Sequence, residues 1–145
     1  MYSEGLGRLY DVVNPADDVY VNLKNCTGVT FVGFEVDGAT VFTLTFAADS
    51  AGTGAVTTGT VDHYYGKSND TASGVWHRTA VSPASNTFTA ADGTEDTVAV
   101  EVSAAIAPDG KYWVKLGADG SGTVTAILHD LYRQRAPQNL ASVVA

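Results

Sequence analysis

Short runs rich in Val, Thr, Phe and Tyr are each closed by a cluster of Gly, Asp, Asn or Pro, at a spacing of roughly 8–12 residues along most of the chain. β-Branched and aromatic side chains suit a pleated, half-buried surface. No window of a dozen residues keeps apolar side chains at i, i+3, i+4 and i+7, so helical burial has nothing to act on. The chain therefore reads as all-β, an antiparallel β-sandwich or barrel with a jelly roll among the possible topologies. Its 145 residues suit a single core and a single domain.

Within that frame, Asp37-Gly38 sits between two β-rich runs, the first from Val29 to Val36, and is a dipeptide that closes two-residue hairpins, so residues 29–47 are predicted to form a hairpin. Alternation places Phe42, Leu44 and Phe46 in the core and leaves Val41, Thr43 and Thr45 on the other face. Further on, the runs 97–106, 111–116 and 122–131 are separated by turn clusters and predict a three-stranded antiparallel meander, with Val98, Val100 and Val102 buried. The domain proper is expected over residues 15–131. An extended apolar N-terminal arm over residues 1–14 precedes it, and a C-terminal tail over residues 132–145 leaves it.

The net charge of −8 and a pI near 4.5 give an average field that repels nucleic acid and anionic membrane, so neither is expected as a partner. Cys26 is the only cysteine, which rules out an intrachain disulfide. The start lacks the charged-then-apolar pattern of a signal peptide, and no apolar run approaches the ~20 residues of a membrane span. These features suit assembly in a reducing cytoplasm.

Nothing in the residue pattern points to catalysis, and the protein is not expected to be an enzyme. His63, His77 and His129 fall on three different predicted strands and have no close-spaced partner of the kind zinc sites use. Cys26 sits in a turn with no histidine near it, which describes a small packed residue better than a nucleophile. Asp92, Glu95 and Asp96 make an acidic loop that does not follow the twelve-residue calcium pattern, and reads as solvated. No phosphate loop or nucleophile elbow is present, so no cofactor and no metal are expected. Trp76, Trp113, Tyr64, Tyr65 and Tyr112 offer an aromatic platform for sugars, although aromatics on alternating strands more often pack.

The most distinctive text lies at the two ends, Met1-Tyr-Ser-Glu-Gly-Leu-Gly-Arg-Leu-Tyr-Asp11 and Gly122-Thr-Val-Thr-Ala-Ile-Leu-His-Asp-Leu-Tyr-Arg-Gln-Arg-Ala-Pro-Gln-Asn-Leu140. Together with the Thr/Gly/Ala-rich strands between them, they resemble the small β-rich capsid decoration, or cement, proteins of long-tailed bacteriophages infecting actinobacteria. That resemblance implies a structural virion protein on the capsid surface, bound as a monomer or trimer to the outside of the major capsid protein lattice, which it stabilises. It carries over no residue-level site.

Physical reasoning points to the same ends, because an isolated apolar arm loses entropy on ordering unless a surface binds it. Tyr2, Leu6, Leu9, Tyr10, Tyr132, Arg133, Arg135 and Leu140 are therefore the expected subunit-interface anchors. The alternative is that one or both ends fold back onto their own domain. Two other functions fit the same composition: a tail-tube, head-tail connector or fibre-associated virion component, and a carbohydrate-binding module built on Trp76 or Trp113.

Overall fold

A computed structural model of the chain describes residues 5–34, 38–68, 74–119 and 122–145. Among them are ten strands: β1 (Tyr10–Val13), β2 (Val21–Asn22), β3 (Cys26–Phe34), β4 (Thr40–Ala47), β5 (Val61–Lys67), β6 (His77–Ser85), β7 (Thr87–Ala90), β8 (Thr97–Ser103), β9 (Trp113–Ala118) and β10 (Thr123–Leu131). They build two antiparallel sheets packed face to face, one of six strands in the order β1-β10-β3-β8-β5-β6 and one of four in the order β2-β9-β4-β7. Both sheets are open, so the molecule is a β-sandwich and not a closed barrel.

The alternation in the sequence decides which side chains are buried. Phe42, Leu44 and Phe46 of β4 and Val98, Val100 and Val102 of β8 all lie inside, with Phe31, Leu116 and Leu128 among the largest side chains that meet them. Phe42 stacks on Phe88 (5.3 Å between centroids), and Phe88 on Tyr64 (4.5 Å), which ties β4, β7 and β5 together. Burial of each such side chain is worth about 1.5–3 kcal/mol.

Strand pairing differs from the sequence-based expectation in two places. β3 and β4 do not form a hairpin: β3 pairs with β8 and β10 in the larger sheet, whereas β4 pairs with β7 and β9 in the smaller. Likewise β8, β9 and β10 are not a meander, because β9 crosses to the smaller sheet while β8 and β10 flank β3 on either side. The reason is physical. A strand that buries one face shows the same period of two whether its sequence neighbour lies beside it or across the core. Of the consecutive strands described, only β5 and β6 are adjacent. The register between them shifts where β6 takes up extra residues around Pro83, a residue suited to an edge strand.

The segment joining β4 to β5 is part of the structure, not a slack loop. Asp49 accepts from the backbone N–H groups of Ala51 and Thr53, Val56 bridges back to Phe46, and Gly59 is buried against the Phe46 ring.

The described parts of both chain ends also lie on their own domain. β1 pairs with the outer edge of β10, from Tyr10 opposite His129 to Val13 opposite Ala126. Ahead of it the chain turns tightly, with the N–H groups of Arg8, Leu9 and Tyr10 all donating to the Gly5 carbonyl. After β10 the tail doubles back: the Tyr132 N–H donates to Asn25, the Arg135 N–H to Gly7, and the Asn22 N–H to Val143. Residues 5–13 and 132–143 are thus not free arms. Without β1, the edge of β10 would present unpaired backbone groups, which docking of the chain's own end removes.

Candidate interface at the joined chain ends

Gly7 is where the two ends meet. Its φ of +80° and the position of the Arg135 carbonyl, 2.2 Å from where a β-carbon would sit, leave room for glycine alone. This contact brings most of the interface anchors predicted from sequence onto one edge of the sandwich. Leu6 bridges to Tyr10, and both are partly exposed. Leu9 and Tyr132, on the two chain ends that β1 and β10 join, are 61% and 67% exposed. Leu140 is the exception in this group, since it packs partly against the core. Tyr2 lies outside the described residues.

Arg133 and Arg135 follow immediately, and the first is held by a side-chain clamp: Asn25 Oδ1 accepts from the Arg133 N–H (2.8 Å) while its Nδ2 donates to the Arg133 carbonyl (3.3 Å). Both arginines line a cavity of about 340 Å³ together with Lys24, Asp11, Cys26, Leu128, Leu131 and the tail from Leu140 to Val143. A shallower groove of about 650 Å³ runs alongside, between Leu6, Tyr10 and Val12 on one side and Pro137 to Val144 on the other.

The charge at this edge is opposite to that of the molecule. With Arg8 in the adjoining turn, four of the chain's eight lysines and arginines gather here in a protein of net charge −8. Among the described residues none of Lys24, Arg133 and Arg135 forms an ion pair; Lys24 instead lies 5.7 Å above the Tyr112 ring. Sequence reasoning found the two arginines but missed Lys24 and Asn25. No spacing rule could have found them, since they reach the edge only through the pairing of Cys26 with Leu131.

The other candidates take structural roles. Cys26 is buried, and burial pushes its thiol up to about 11, so it stays protonated at neutral pH; its Sγ–H donates to the Leu23 carbonyl (3.6 Å). Glu95 of the acidic loop is not solvated but turned inward. Its Oε1 accepts from Thr79 (2.9 Å) and pairs with His77 Nε2 (3.0 Å), and its Oε2 accepts from Tyr64 (2.8 Å) and the Ala91 N–H (2.9 Å). His63 pairs with its neighbour Asp62, and His129 with Asp130. Among the described residues no three His, Cys, Asp or Glu side chains come together in a way that could hold a metal ion.

The aromatic set is divided. Trp113 and Tyr64 are buried in the sandwich, whereas Trp76, capped by Lys67, and Tyr65 are exposed on the larger sheet, and Tyr112 sits apart beside Lys24. The chain matches no family model, no curated protein and no solved structure.

Proposed function

We propose that the protein is a structural virion component of the decoration type, which docks through its joined chain ends onto the outside of a major capsid protein lattice and stabilises it. The observation that carries this reading is the exposure of Leu9 and Tyr132 on one edge beside Lys24, Arg133 and Arg135, which form no ion pair among the described residues. Apolar surface gathered at one place marks interaction sites, and Tyr and Arg are the residues that most often anchor them. The excess of positive charge steers an acidic partner surface to that edge and away from the rest of this acidic molecule.

The docked ends change how such binding works. A free arm must be ordered on contact, whereas an edge already fixed by β1 and by the Gly7–Arg135 bond presents its anchors without that cost. The likeness of both ends to phage decoration proteins supplies the class of partner. Partner binding is through extended contact and involves no chemistry.

The test is occupancy on purified shells. Because β1 belongs to the sheet, point changes are more informative than deletion of residues 1–10: Leu9→Asp with Tyr132→Asp leaves the fold intact and is expected to weaken shell binding by roughly thirtyfold or more, the equivalent of about 2 kcal/mol. Shells that retain the double variant at full occupancy would remove this edge from the interface. Absence of wild-type binding to any shell, or closed rings of the protein in solution, would remove the decoration role itself.

A further inference from the structure

The 340 Å³ cavity under the tail differs from the exposed edge around it, because it is concave and lined by two kinds of surface. Its floor is apolar, from Cys26, Leu128, Leu131 and Leu140. Its polar lining is dominated by Lys24, Arg133 and Arg135, against one acid, Asp11. The walls are held in place: Asn25 clamps the Arg133 backbone, Asn22 Oδ1 accepts from the Lys24 N–H (2.9 Å), and the Asn22 N–H ties down the tail at Val143 (2.9 Å).

We infer that this cavity binds a small amphipathic carboxylate, its anionic head at Arg133 and Arg135 and its apolar body on the Leu128, Leu131 and Leu140 floor. Each half of the lining excludes a simpler occupant. A neutral hydrocarbon would leave three cations with Asp11 alone as counter-charge, and a bare inorganic anion would leave the apolar floor wet. The guanidinium fork matches a carboxylate in plane and spacing, and Asp11 in the same lining weighs against a doubly charged head. In size the cavity stands at the small end of ligand sites and suits a molecule of roughly ten non-hydrogen atoms. The inference stands on the cavity alone and does not require docking on a shell.

Octanoate is the probe, titrated into the full chain and followed by amide chemical shifts. Saturable shifts confined to the segment from Leu128 to Val143, to residues 22–26 and to Asp11 are expected. The double variant Arg133→Gln, Arg135→Gln, altered only at exposed side chains, should weaken binding by about tenfold or more, and Arg78→Gln, remote on β6, should leave it unchanged. Octan-1-ol and octylamine should bind markedly more weakly, as should inorganic phosphate. Octanoate shifts that do not saturate, equal binding of the alcohol or of phosphate, or an unaffected double variant with a wild-type spectrum elsewhere would each overturn the assignment.

Discussion

Glu95 keeps a negative charge with only 5% of its surface exposed because donors from four directions reach it. Burial alone would raise its pKa; the bonds from the Ala91 N–H, Tyr64, His77 and Thr79 outweigh it and hold the carboxyl below the ordinary glutamate range. The same carboxylate, after burial itself, raises the Tyr64 hydroxyl's pKa. A depressed carboxylate stabilises the fold above its unfolded pKa, near 4.3, and ceases to do so as pH falls through the folded value. Replacing Glu95 with Gln puts an NH2 where two donors point, and is expected to cost about 1–3 kcal/mol at pH 7. Denaturant unfolding at a series of pH values should show the gap between wild type and Glu95→Gln narrowing from about pH 5 downward; a constant gap would mean the charge itself is not what matters. The sequence shows Glu95 only as one of three acids in a loop. Its burial depends on Tyr64 and Thr79 from two other strands, and on Gly66, whose missing β-carbon would come 2.9 Å from Glu95 Cγ.

At the scale of the strands, the two-residue period was legible and the pairing was not. The period sets which face is buried, and it assigned Phe42, Leu44, Phe46 and the valines of β8 correctly to the interior. It is silent on whether the next strand lies in the same sheet, and the chain switches sheets between β3 and β4 and twice more between β8 and β10. The Asp37-Gly38 signal fails for this reason: Asp37 itself lies outside the described residues, and the strands on either side, β3 and β4, pair in different sheets. The connection from β4 to β5 is packed in a way that its Gly, Ala and Thr content does not show: a β-carbon on Gly59 would lie 2.1 Å from Phe46 Cε2. Gly59→Ala must therefore push a fully buried ring aside, and is expected to destabilise the protein by about 1–3 kcal/mol. Gly93→Ala has open space, and its loss is confined to the backbone strain of φ +71°. Thermal unfolding of the two variants separates steric from conformational cost, and a smaller loss for Gly59→Ala would show that the segment yields.

For the whole molecule, the apolar character of both ends was visible in the sequence, but their meeting was not, since Gly7 and Arg135 are joined only when β1 closes on β10. That closure produces a molecule of uneven charge, acidic overall yet with Arg8, Lys24, Arg133 and Arg135 gathered at one apolar edge beside Asp11 and Asp130. At neutral pH the net −8 keeps copies apart. Near the pI of about 4.5 the net repulsion vanishes, while the arginines at the edge stay charged and enough carboxylates stay ionised elsewhere to attract them. Exposed Leu9 and Tyr132 then meet no electrostatic barrier to burial against a neighbour. Sedimentation at pH 4.5 and low salt is expected to show reversible association that is absent at pH 7 and weakened by added salt, because the attraction between exposed charges is screened within about 10 Å at 0.1 M. Leu9→Asp with Tyr132→Asp should suppress it. Persistence of association in that double variant would shift the contact to the other exposed aromatic surface, at Tyr65 and Trp76, and would take from the terminal edge its standing as the most adhesive part of the molecule.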